Sequence, residues 1–323
     1  MRQVRRAVPD ARPLRSDDAA TGGSNAPPAR QQEEKMDTLS RKVARVVVPQ
    51  MVVEGAGVKL KRSIATGTLD YLDPFLLFDH FGSSNPDDYL AGFPMHPHRG
   101  IETVTYMLAG DVQHRDSIGN SGSIGAGDVQ WMTSGRGILH EEMPRPRDGQ
   151  MAGFQLWVNL PSSLKMTKPR YQEVPSHLIP EISREDGTRI RVIAGTLDRT
   201  HGAVTDIAAD PTYLDVSVPP ERNLTLPCPR GHTAFAYVFE GEGQFGPTAD
   251  GPEKTLSHPR LLVFADGDTV EVCTGTSPVR FLLVSGNPLH EPIARYGPFV
   301  MNTREEIEQA LRDLREGTFV RPD

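Results

Sequence analysis

The chain uses one short pattern twice. Thr105-Tyr106, Gly110-Asp111 and Gln113 return 131 residues later as Ala236-Tyr237, Gly241-Glu242 and Gln244, and Gly127-Asp128 returns at an offset of 140 as Gly267-Asp268. Spacing of that size is the length of a domain, so the sequence reads as one unit duplicated. The segments between the repeated points are short, rich in β-branched and aromatic residues, and bounded by turn formers. Residues 43–48, 102–108, 111–116, 129–133 and 153–159 read as strands in the first half, with Ala109-Gly110 as a break between the second and third. Residues 189–193, 213–218, 235–239, 261–264, 269–273 and 279–285 read as strands in the second. With 30 Gly and 28 Pro among 323 residues, the breakers are too dense for long helices. The expected fold class is all-β, two tandem barrels or sandwiches. The domains are placed at 41–172 and 173–323, with a Pro-rich linker over 168–180. One helix is expected at the end: Thr303 and Glu306 make a capping box, Ile307, Ala310, Leu311 and Leu314 form an apolar stripe, and Gly317 supplies the stop. That stripe should dock on a barrel.

Residues 1–40 show no apolar periodicity and are expected to be a disordered extension, with Met36 as an alternative start. They lack the apolar run of a secretory signal. A net charge of −7, from 35 basic and 42 acidic residues, argues against direct nucleic-acid binding, which depends on neutralising phosphates. The two cysteines, Cys228 and Cys273, have no metal-binding spacing and fit a reducing compartment. No apolar run approaches the roughly 20 residues that cross a bilayer. The expectation is a cytoplasmic monomer with no membrane partner.

The residues that carry chemistry lie in the first half. His96-Pro97-His98 sets two imidazoles two positions apart, and His140-Glu141-Glu142 sets an imidazole and a carboxylate at the same spacing. On a strand, alternation with period 2 puts each pair on one face. Facing each other inside a barrel, the pairs would offer three imidazoles and a carboxylate to one divalent metal, a set that suits iron, manganese, copper, nickel or zinc. Gly92, Pro94 and Pro97 suit a rigid extended bend, and Gly135 and Gly137 precede the second pair. The same parity puts Glu102 on the face of His96 and His98, as a competitor for the carboxylate position, and turns Glu141 away. Carried through the repeat, His96 and His98 map to Pro227 and Pro229, and His140 and Glu142 map to Arg280 and Leu282. None of these can replace the first-half donors, so one metal per chain is expected, in the first half. The other seven histidines, His80 and His114 among them, have no ligand spacing and should lie mostly at the surface or in turns.

Long motifs surround these residues. Leu72-Asp-Pro-Phe-Leu-Leu77, His96-Pro-His-Arg-Gly100, Glu102-Thr-Val-Thr-Tyr-Met107, Gly127-Asp-Val-Gln-Trp-Met-Thr133, Gly135-Arg-Gly-Ile138, Leu156-Trp-Val-Asn-Leu-Pro161, Pro169-Arg-Tyr-Gln172 and Tyr296-Gly-Pro-Phe-Val-Met-Asn-Thr303 follow in order. Together they resemble the pirin family over roughly residues 40–320. The resemblance implies two tandem cupin (jelly-roll-like) β-barrels with a short C-terminal helix and a metal in the N-terminal barrel alone. It implies Fe(2+) as the cofactor, with Mn, Co, Ni, Cu or Zn as other ions such donors accept, held by His96, His98, His140 and Glu142. Cupins in general take their carboxylate about four residues after the His-x-His pair, which is Glu102 here. The implied activity is that of a quercetin 2,3-dioxygenase: a flavonol or related aromatic meets O2, Glu142 takes the hydroxyl proton, and the central ring opens with loss of carbon monoxide. The alternative that the family implies is a metal- or redox-dependent regulatory protein that binds a transcription factor or a metabolic enzyme.

Overall fold

The computed structural model describes residues 38–145, 149–246 and 255–321. Most of the extension expected over residues 1–40 therefore lies outside the described residues. Two seven-stranded antiparallel sheets dominate the rest. The first runs, edge to edge, Arg170–Val174, Val129–Thr133, Ile101–Ala109, Met151–Asn159, Phe75–Ser83, Val58–Ile64, Gln50–Glu54. The second runs Val43–Val47, Arg260–Phe264, Thr233–Phe245, Val279–Gly286, Thr212–Val218, Arg189–Ala194, Glu181–Ser183. Position by position the two orders match, so the duplication read from the sequence is present in the strand pairing.

A smaller sheet completes each half. In the first half it is Phe93–His98, Ile138–Arg145, Asp111–Asp116, Ser121–Ile124. In the second, Asn223–Pro227 pairs with Thr269–Cys273, which pairs with the far end of Thr233–Phe245, which pairs with Thr255–Ser257. One bent strand links large sheet to small sheet in each half. In the first half it breaks at Gly110 (φ +75°) and in the second it turns at Gly241 (φ +69°). A Cβ at these positions would sit 2.7 Å from the Gln150 carbonyl oxygen and 1.9 Å from that of Pro278, so only glycine permits the bend.

Two segments are placed differently from their reading as a first-half strand and a linker. The first strand, Val43–Val47, does not join the first sheet; it pairs with Arg260–Phe264 of the second. The stretch read as a linker contains Arg170–Val174, which takes the equivalent edge of the first sheet against Val129–Thr133. Each large sheet is thus completed by a segment that precedes or follows its own run of the chain.

The large sheets face each other. Phe78, Tyr106 and Phe154 of the first pack with Tyr213, Phe235 and Tyr237 of the second in one apolar cluster. A second cluster fills the inside of the second half. The helix Arg304–Glu316 forms as expected, with the Thr303–Glu306 capping box, and ends at Gly317 (φ +73°). Its Ile307 and Ala310 dock with Phe299, Met301 and Phe319 beside Leu139, at the first half of the molecule.

Candidate metal centre

Phe93–His98 and Ile138–Arg145 run antiparallel, with His140 opposite His96 and Ile138 opposite His98. The three imidazoles converge. Their ring centroids are 4.8 Å (His96–His98), 4.4 Å (His96–His140) and 5.1 Å (His98–His140) apart, and one nitrogen from each lies within 4.8 Å of the others. This is the single cluster of three such donors among the described residues.

The hydrogen bonding of these rings is incomplete in a way that fits a metal. Nδ1 of His96 is 2.9 Å from the Pro94 carbonyl oxygen, so it donates there and leaves Nε2 as a lone-pair donor. Nδ1 of His98 and both ring nitrogens of His140 are buried without a hydrogen-bond partner. Buried polar atoms are ordinarily satisfied, and a shared cation would satisfy these. Burial pushes the His98 ring well below the usual histidine range and that of His140 down to about 3, with the neighbouring imidazoles adding to both effects. Both rings are therefore neutral at pH 7, the form in which imidazole binds metal.

Glu142 is not part of that three-histidine cluster, but it lines one cavity together with His96 and His98. A register slip after His140 sets it opposite Phe93, and across the other strand it pairs with His114. Its Oε1 lies 3.2 Å from the Thr105 hydroxyl, which is also 2.8 Å from Oε1 of Gln155. Burial raises its carboxyl, against the pull of His96 and the Thr105 hydrogen bond. Glu141 turns outward to an ion pair with Arg115 at 2.5 Å.

The parity argument for Glu102 fails. His98 ends one strand, Gly100 takes a left-handed φ of +81°, and Ile101 starts a strand of the other sheet, so alternation does not carry across. Glu102 points to the opposite face from Thr105. Its carboxylate accepts from Trp131 Nε1 at 3.0 Å and from Thr133 Oγ1 at 2.7 Å, away from the histidines.

The repeat mapping also needs correction. Arg280 and Leu282 lie on Val279–Gly286, the counterpart of Met151–Asn159 and not of the strand that carries His140. Glu142 pairs with His114, and Val272 pairs with Phe245, the counterpart of His114; His140 pairs with His96, and Val270 pairs with Leu226. The second-half equivalents of His96, His98, His140 and Glu142 are therefore Leu226, Cys228, Val270 and Val272. All four are buried in the apolar cluster that fills that half. One half is packed with hydrocarbon where the other holds donors beside a cavity.

That cavity has a volume of about 490 Å³. Several residues that shape it carry no local sequence signal. Trp157 meets His98 edge-on at 5.1 Å. Arg62 binds Asp79 through two 2.8 Å hydrogen bonds and Glu54 at 2.6 Å. Arg295, nearly 140 residues after Trp157 in the chain, lies over the Trp157 ring. His114, expected at the surface, is buried and sits 2.7 Å from Glu173.

Family comparison accounts for both halves. Residues 57–158 match the Pirin model and residues 213–320 match the Pirin C-terminal cupin domain. The chain belongs to the pirin family. Human pirin is 44% identical over 280 residues, covering 85% of this chain and 93% of that protein. A pirin-like protein of Caulobacter vibrioides is 42% identical over 280 residues, covering 86% of this chain and 99% of its own. Among solved structures, a quercetin 2,3-dioxygenase from Acinetobacter baumannii superposes with a TM-score of 0.79 at 36% identity, covering 87% of this chain and 99% of that one. The two halves of this pirin are thus two cupin domains, and the three-histidine cluster lies in the first.

Proposed function

We propose that this pirin is a mononuclear non-haem iron dioxygenase that opens flavonols or related aromatics with O2. His96, His98, His140 and Glu142 would hold the metal. The observation that carries the reading is the meeting of three imidazoles, those of His98 and His140 buried with nitrogens lacking hydrogen-bond partners, beside a cavity of about 490 Å³ that His96 and His98 line. A space of that size accepts a three-ring aromatic. The Acinetobacter baumannii relative, named as a quercetin 2,3-dioxygenase, supports the same chemistry. A divalent iron ion bound there supplies Lewis acidity and one-electron exchange with O2.

The rest is done by the chain's own groups. Glu142, facing the cavity with a raised carboxyl, takes the proton of the flavonol hydroxyl. Thr105 holds Glu142 in place through its 3.2 Å contact. The apolar wall from Val58, Leu60 and Phe81 excludes water from the electron-rich flavonolate. O2 adds two oxygen atoms, the ring carbons supply the electrons, and one carbon leaves as carbon monoxide, so no further reductant is required.

The test loads the protein anaerobically with Fe(II), adds quercetin and then air, and follows flavonol absorbance together with carbon monoxide. His140→Ala should lose both metal and turnover. Absence of turnover with each of Fe, Mn, Co, Ni and Cu in protein that binds them tightly would overturn the enzymatic reading and leave a metal-dependent binding protein in its place.

A further inference from the structure

The metal end of the cavity says what reacts; the other end says what is recognised. Two successive contacts of 5.1 Å run along one wall, from the His98 ring to Trp157 and from Trp157 to the Arg295 guanidinium. Arg295 comes from the short strand Ala294–Tyr296, just before Gly297 and Pro298, which also line the cavity. Nη1 donates to the Leu76 carbonyl oxygen at 3.2 Å and Nε to that of Gly297 at 3.4 Å. These two bonds and the indole fix the plane of the guanidinium. Nη2 has no partner among the described residues, and no carboxylate there lies within ion-pair distance of Arg295.

The cavity's other cation is already used. Arg62 is paired with Asp79 and Glu54. Glu54 and Asp79 meet Arg62 at bonding distance and attract Arg295 from farther off, as does Asp70, while Arg295 lines the space with an edge that no carboxylate occupies. A guanidinium held over an aromatic ring with a free edge is suited to a carboxylate or an ionised phenol.

Building on the dioxygenase reading, we propose that the preferred substrate is an aromatic that carries an anionic group, bound by Arg295 at the Trp157 end of the cavity while its reacting hydroxyl faces the histidines. Arg295 is on this view a specificity residue supplied to the first cupin domain by the C-terminal segment.

The test uses binding, so that it stands apart from turnover. Metal-loaded protein is titrated anaerobically with 3-hydroxyflavone and with its 4′-carboxylate, by calorimetry and by quenching of tryptophan fluorescence; Trp157 is one of only two tryptophans in the chain. The carboxylate should bind about tenfold more tightly, the scale of a charge-assisted hydrogen bond at a partly exposed site. Arg295→Gln should abolish that preference, and Arg295→Lys should keep part of it. Equal affinities in the wild type, or a preference that survives in Arg295→Gln, would overturn the proposal. Preference without carbon monoxide release would defeat the dioxygenase reading and leave the anionic-aromatic site standing; release without preference would do the reverse.

Discussion

Replacing Asp313 should reach the metal site from the far end of the chain. Arg99 follows His98 directly, and its side chain is only 1% exposed. Its Nη1 donates to Asp313 Oδ2 at 2.7 Å, its guanidinium lies 4.4 Å from the Phe319 ring centre, and its backbone oxygen accepts from Val300 N at 3.0 Å. At 2.7 Å and an effective dielectric of about 20, the attraction between the two charges is about 6 kcal/mol, part of which offsets their desolvation. Asp313→Asn keeps the shape and removes the charge, leaving Arg99 buried with a ring and carbonyl oxygens as company. The expected loss is about 3 kcal/mol of unfolding free energy, measured by urea denaturation. Arg99→Met with Asp313→Leu should restore most of it, since an apolar pair of similar volume needs no partner charge. Iron affinity should fall about tenfold in the single variant, because the Arg99 backbone that sets His98 would shift. A loss below 1 kcal/mol, or a double variant no better than the single, would refute this account of the pair.

Four other substitutions probe different links. Glu142→Gln should weaken iron binding and stop turnover, whereas Glu102→Gln, whose carboxylate faces Trp131 and Thr133, should leave the iron content unchanged; elemental analysis of both proteins decides between them. Gly100→Ala would bring a Cβ to 2.0 Å from the Val300 carbonyl oxygen at a φ of +81°, so we expect a loss of at least about 3 kcal/mol in the same urea assay. The His80 ring is pushed down to about 3, chiefly by burial and further by the charges of Lys61 and His258. An unfolded histidine titrates near 6.5, so between those values the unfolded chain binds the extra proton. Stability from this group is therefore complete above about pH 6.5 and falls as the pH drops, by about 2 kcal/mol at pH 4 after a discount for its partial exposure. Melts of His80→Asn from pH 7 to 4 should show a correspondingly shallower decline, and an unchanged slope would count against the burial argument.

Local rules reached far into this protein. Asp111–Asp116, Val129–Thr133 and Thr269–Cys273 were readable to the residue, because alternation and turn formers are properties of neighbouring residues. The helix from Thr303 to Gly317 was equally legible, since its caps are short-range hydrogen bonds. The spacing of His96, His98 and His140 singled out three residues that the fold brings into one cluster on two paired strands. Where reading failed, a non-local event had intervened. A left-handed Gly100 broke the parity that made Glu102 a competitor, and matching Gly127-Asp128 to Gly267-Asp268 joined turns that precede non-equivalent strands, Val129–Thr133 and Thr269–Cys273.

The sequence by itself determined most strands and the closing helix, which follow from side-chain chemistry over a few residues, and its repeated pattern showed the duplication. Only the tertiary structure decided which sheet Val43–Val47 and Arg170–Val174 complete, since a strand's partner is whichever edge lets it bury its apolar face. It also decided that one half is solid and the other hollow, with Leu226, Cys228, Val270 and Val272 packed where the first half turns imidazoles toward a cavity. Arg295 entered that cavity for the same reason: the C-terminal segment packs back across the first domain, and packing brings together residues that no spacing in the chain relates.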